Sequence, residues 1–132
     1  MQIQAAILED HGKPLAVVEN IEAPPLRDGQ VLVKILYSGV CQSQVHEVLG
    51  QRGADPYLPH MLGHEGIGEV IDKGSAVKKI NIHDKIILGW MKGTGCNEGP
   101  TTYNLNGRAI NAGPITTFSN YSIVSENRCV KM

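Results

Sequence analysis

Short β-branched runs, each cut off by turn residues after a few positions, recur along the whole sequence and leave almost no room for helix. The first is 3–8, closed by Asp10-His11-Gly12-Lys13-Pro14, and the second is 15–21. The turn between them predicts a hairpin. Ala23-Pro24-Pro25-Leu26-Arg27-Asp28-Gly29 is a rigid connector. In 30–38, Val31, Val33 and Ile35 alternate with Leu32, Lys34 and Leu36, the period of a strand with one face in a core. Further strands are expected at 68–72, 85–88, 119–124 and 128–131. One short helix is expected at 43–49, capped by Ser43 and ended by Gly50. The span 89–114 holds six glycines and several Asn and Thr, and reads as a long excursion, a functional loop or a lobe. The pattern predicts a mainly β fold, one compact barrel-like domain over 1–132.

Composition narrows the function classes. An apolar share of 42% in 132 residues supports a true core. Twelve basic residues against thirteen acidic ones give a formal net charge of −1, which points to neither nucleic acid nor a membrane surface as partner. No apolar run approaches the length of a spanning helix, and the opening MQIQAAILEDHGK lacks the pattern of a signal peptide. Cysteines at 41, 96 and 129 are odd in number and far apart, so the expectation is a reducing, cytoplasmic setting without disulfides. There is no strand–GxGxxG–helix unit and no Walker-type loop, so nothing here is built to cradle a dinucleotide or a triphosphate.

The residues that carry chemistry are Cys41, Ser43, His46, His64 and Glu65. Cys41 follows directly on the long core strand, where sites tend to be mounted on a rigid scaffold. Thiolate, imidazole and carboxylate are all zinc ligands, and a catalytic site takes three protein ligands plus an open position. Cys41 and His64 are candidates for two of them, and Glu65 for a third ligand or a group that orients the site. The plain alternatives stand beside this. A lone Cys is usually a small buried hydrophobe, and a lone His is more often a satisfied surface or core residue.

The run GHEGIGEVIDKGSAV, 63–77, resembles the signature of zinc-containing alcohol dehydrogenases, with Gly63, His64, Glu65, Gly68, Gly74 and Val77 at every constrained position. SGVCQSQVHEVLG resembles the first metal segment of that family, a Cys with a hydroxyl residue two positions on and a His five on. The opening through Cys41 and the closing TTFSNYSIVSENRCVKM are similar to the family as well, so the resemblance covers nearly the whole chain. It identifies the GroES-like catalytic domain of medium-chain dehydrogenases and implies a partly open β-barrel with a few short helices. It also implies that Cys41 and His64 are catalytic zinc ligands, with Glu65 close enough to join them. Ser43 would meet the substrate hydroxyl, and His46 would pass its proton towards solvent. The implied cofactors are Zn2+ and, through a Rossmann domain, NAD or NADP. The implied partners are a small alcohol or aldehyde and that Rossmann domain, with a homo-oligomer as a further expectation.

Four departures from the family pattern bear on this. Gln44 stands where Asp is usual; an amide can accept a ring N–H bond but brings no charge. Of the four cysteines of a structural zinc lobe only Cys96 is present, so 93–99 must be held by other contacts. His83-Asp84 replaces the usual Gly-Asp, a changed turn. The third ligand and the cofactor site are expected beyond Met132, Cys129 being a poor substitute, so 1–132 alone is expected to have no dehydrogenase activity. The rival reading is a non-catalytic GroES-like binding or assembly module, for which Cys41, Ser43, His46, His64 and Glu65 together would have no use. Trp90 is expected either to line the substrate pocket or to be an ordinary core aromatic.

Overall fold

The computed structural model describes residues 1–132. In chain order the elements are β1 (Gln2–Leu8), β2 (Ala16–Glu22), β3 (Gln30–Ser38), α1 (Gln42–Val48), β4 (His60–Met61), β5 (Gly66–Lys73), β6 (Lys85–Leu88), β7 (Thr101–Leu105), β8 (Arg108–Gly113), β9 (Tyr121–Ser125), a 3-10 turn at Glu126–Arg128, and β10 (Cys129–Lys131). Strands β1-β2-β7-β8-β4 close into a barrel, and β10-β6-β5-β3-β9 form a second sheet of five. The mainly β class and the single short helix agree with the sequence pattern.

The alternation in β3 does what a period of two requires. Val31 and Val33 are fully buried in a core with Val70, Ile86, Leu88 and Val124. Leu32 packs from the opposite face against a second core of Ile3, Ile7, Ile21, Tyr103, Ile110 and Ile123. Strand β9 is divided in the same way, Ile123 to one core and Val124 to the other. Each such aliphatic side chain contributes about 1.5–3 kcal/mol when fully buried. The β3–β9 pair is therefore shared by both cores.

The span 89–114 departs from the expected excursion. Its second half is the β7–β8 hairpin, paired from Thr101↔Gly113 to Leu105↔Arg108 and joined to β2 through Glu22↔Asn104. Asn106 and Gly107 turn it with φ of 51° and 87°, the left-handed pair that a two-residue hairpin loop demands. The helix begins at Gln42, so its N-cap is Cys41 and not Ser43. His83 has φ 75°, so the His-Asp turn holds a non-glycine residue in the left-handed region.

The glycines of 63–68 have a steric cause. Gly63 has φ 94°, and a Cβ there would lie 2.3 Å from Thr117 Oγ1 and 2.8 Å from two backbone nitrogens. A Cβ on Gly68 would lie 2.3 Å from Val33 Cγ1 and 2.7 Å from the Lys34 carbonyl. Bare backbone is what lets β5 lie tightly along β3 and delivers His64 to the end of β3, next to Cys41.

Candidate metal centre and catalytic site

Strand β3 ends at Ser38, and Gly39-Val40 leads to Cys41 at the mouth of α1. The Gly39 N–H donates to the Glu65 carbonyl at 3.0 Å, and the Ser38 and Thr117 hydroxyls bond at 2.7 Å. The first bond, together with the Ser38 hydroxyl donating to the Glu65 carbonyl at 3.4 Å, holds the two metal-type segments against each other. Cys41, Ser43 and His64 are half-buried, while His46 and Glu65 are exposed. The hydroxyl of Ser43 holds the Cys41 thiol below its ordinary value, with help from the Ser43 N–H and against the Glu65 carboxylate. That environment favours thiolate, the form that binds metal.

Gln44 is the hinge of the site. It is 6% exposed. Its Oε1 accepts the Cys41 N–H at 3.0 Å, and its Nε2 lies 2.6 Å from His64 Nδ1. An amide nitrogen only donates, so Nδ1 is the acceptor and the neutral ring carries its proton on Nε2. In this orientation the amide nitrogen faces the ring, and the oxygen that could accept a ring N–H is engaged by Cys41. A metal ion needs a ring lone pair, and here the outward nitrogen has none free. Turning the amide over would present Oε1 to Nδ1–H and bare Nε2, but would leave the Cys41 N–H facing a donor. The thiol and imidazole suit zinc in kind, and binding at Nε2 is coupled to that turn.

Cys41, His64 and Glu65 do not bring three ligand atoms within 4.8 Å of one another; Glu47, Asp55 and His60 do. This second cluster was missed in the sequence, because its members come from α1, a loop and β4 with no ligand-like spacing. His60 Nδ1 lies 2.9 Å from the Met61 carbonyl, and its Nε2 lies 2.6 Å from Asp55 Oδ2 and 3.4 Å from Glu47 Oε2. Burial alone would raise the Asp55 carboxyl, but the Tyr57 N–H and His60 outweigh it and hold it below its ordinary value.

Trp90 is 63% exposed, which removes the core reading. Its ring stands 6.1 Å from that of His64, and the two line one cleft of about 520 Å³. The Arg128 guanidinium lies 5.9 Å from the indole centre and donates to the Trp90 carbonyl. Cys129 is fully buried, and burial pushes its thiol up to about 12, which suits a core residue and not a ligand.

Glu126 was also missed. Its carboxylate accepts the N–H groups of Lys78, Lys79 and Cys96 at 2.7, 3.0 and 2.8 Å. The Cys96 thiol donates to the Ala76 carbonyl at 3.6 Å. A buried carboxylate on the 3-10 turn thus ties the 93–99 loop to the 78–79 segment, in place of four cysteines and a zinc ion.

The family model for the alcohol dehydrogenase GroES-like domain matches residues 27–132. An alcohol dehydrogenase of Geobacillus stearothermophilus is 37% identical over 89 residues, 67% of this chain and 26% of its own length. An S-(hydroxymethyl)glutathione dehydrogenase of Synechocystis is 31% identical over 159 aligned positions, covering all of this chain and 42% of the relative. The crystal structure of an alcohol dehydrogenase zinc-binding domain protein from Burkholderia ambifaria superposes with a TM-score of 0.86 at 22% identity, over 100% of this chain and 42% of that one. The chain therefore spans 26–42% of the length of the relatives it matches.

Proposed function

Because this chain belongs to the alcohol dehydrogenase GroES-like domain family, we propose that it is the catalytic domain of a zinc-dependent alcohol dehydrogenase, oxidising a small alcohol or reducing an aldehyde or ketone together with a Rossmann domain that binds NAD or NADP. The observation that carries the reading is the joining of the two metal-type segments, the Gly39 N–H before Cys41 donating to the Glu65 carbonyl after His64, with Ser43 and His46 on the same helix. In this reading Cys41 and His64 hold the zinc ion, and Glu65 or a residue outside 1–132 completes the set. When bound, zinc supplies Lewis acidity towards a substrate oxygen.

The remaining work falls to side chains. Ser43 places a hydroxyl two positions after Cys41, where it can take the proton of the substrate alcohol. His46 lies three residues further on, on the same helical face, and hands that proton to water. Trp90 forms an apolar wall beside His64. A nicotinamide held by the Rossmann domain would supply the hydride chemistry, which belongs to the cofactor. A cytoplasmic setting goes with three free cysteines, and no helix is long and apolar enough to cross a membrane.

The test is metal content of the purified chain beside a Cys41→Ala variant, with zinc assigned to Cys41 by the charge-transfer absorption of a cobalt-substituted sample. Thiolate-to-cobalt absorption that vanishes in Cys41→Ala is the expected result. Cobalt bound without such absorption would remove Cys41 from the metal and with it this reading, whereas no binding at all would assign the third ligand to a residue outside 1–132 and exclude Glu65 from that place.

A further inference from the structure

The cleft that holds His64 and Trp90 is also lined by Glu47, Asp55, Tyr57 and His60. His60 is 8% exposed. Its Nδ1 faces the Met61 carbonyl at 2.9 Å, an atom that only accepts, so Nδ1 carries a proton. Its Nε2 is then aimed at Asp55 Oδ2, 2.6 Å away, and at Glu47 Oε2, 3.4 Å away. The other Asp55 oxygen already accepts the Tyr57 N–H at 2.8 Å, which fixes the direction of Oδ2. Three lone-pair atoms from separate elements therefore converge on one point beside an open cleft.

Such an arrangement suits a positive centre, either the hydrogen of a ring N–H or a metal ion. The position of the second carboxylate bears on the choice. A single ring N–H serves one acceptor well, and Asp55 takes that place. Glu47 at 3.4 Å is beyond a good hydrogen bond, so a proton would leave its oxygen facing the site unserved. A metal ion serves all three, and the cleft leaves room for water to complete its coordination.

We propose that Glu47, Asp55 and His60 form a divalent-metal site of one imidazole and two carboxylates, separate from Cys41 and His64. Nitrogen and oxygen donors without sulfur suit zinc, manganese or ferrous iron. Metal–ligand distances of about 2.0–2.2 Å spread ligand atoms to roughly 3–3.5 Å, so the Asp55–His60 pair opens slightly and Glu47 moves little. The ion would clamp the loop carrying Asp55 and Tyr57 to α1, beside the candidate catalytic residues.

The test uses the full chain with Cys41→Ala, which removes the thiolate of the other site, and zinc alone as probe. Calorimetric titration is expected to show one zinc per chain. Adding Glu47→Gln or Asp55→Asn should weaken it on the order of 100-fold. Both substitutions keep side-chain shape, and a thermal melt reports whether each folds. Nitrogen NMR of His60 in Cys41→Ala reads the same point without touching the cluster: Nε2 should shift to a metal-bound value at saturating zinc. No binding in Cys41→Ala, binding indifferent to both carboxylate changes, or a ring that keeps its Nε2–H in excess zinc would each overturn the proposal. Because Cys41 is absent throughout, these outcomes are independent of the zinc assigned to it above.

Discussion

At the scale of a residue, Gln44 has the largest consequence for its size. A carboxylate at this position could accept both the Cys41 N–H and a His64 Nδ1–H. The amide accepts one and donates to the other, which directs the ring proton to the nitrogen that a metal needs. Gln44→Glu keeps the length of the side chain and restores two acceptors. We expect it to tighten zinc binding by about 10–100-fold, measured by competition with a chelator. Nitrogen NMR of His64 should show the proton on Nε2 in the parent and on Nδ1 in the variant. Unchanged affinity with an unchanged tautomer would mean that the amide does not control the ring. Sequence alone marked Gln44 as a departure but could not give its effect. Which end of an amide faces which partner depends on the N-cap geometry of Cys41, and that exists only once the chain has folded.

At the scale of an element, the 93–99 loop shows how one fold can be closed by different chemistry. Glu126 is 3% exposed and takes three backbone N–H groups. Burial alone would raise its carboxyl, but those donors bring it from 4.5 down to about 2. The sign follows: folding favours the charged form, so the contribution is complete above about 4.5 and is lost as pH falls towards 2. Its size is on the order of 2 kcal/mol once solvent screening is allowed for. Glu126→Gln turns one acceptor into a donor facing N–H groups, so it should destabilise by a similar amount at neutral pH. Denaturant midpoints measured across this acid range should fall more steeply in the parent than in the variant; parallel curves would show that Glu126 does not clamp the loop. The sequence made clear that a four-cysteine lobe was impossible here, since only Cys96 is present. It did not reveal the replacement, because Glu126 is separated from its partners by tens of residues. The β7–β8 hairpin was hidden for a different reason: Thr and Asn inside its strands masked the alternation of Tyr103, Leu105 and Ile110, although Asn106-Gly107 is a strong local turn signal.

At the scale of the whole molecule, the question is whether the barrel and the second sheet behave as one body. The alternation in β3 and the glycine spacing of 63–77 were legible in the sequence, because period-two burial and tight strand crossings are local demands. The partition of two cores across β3 and β9 was not, since it depends on which face each strand turns to which sheet. That partition makes the two sheets interdependent. Leu32 and Ile123 serve the barrel core, while Val31, Val33 and Val124 serve the other. Buried polar bonds cross between the sheets as well: the hydroxyl oxygen of fully buried Tyr103 in β7 accepts the Ile123 N–H of β9 at 2.8 Å, and Gln30 Nε2 of β3 donates to Thr101 Oγ1 of β7 at 3.1 Å. Burial pushes that phenol up to about 12, so it stays neutral through the working range. Unfolding in guanidinium should therefore give one transition, coincident by circular dichroism and by fluorescence of Trp90. Tyr103→Phe leaves the Ile123 N–H buried without an acceptor and should cost about 1–3 kcal/mol. The midpoint should fall for both probes together. If it falls for one alone, or if the parent already shows two transitions, the sheets are separable units, and the shared β3–β9 pair does not couple them.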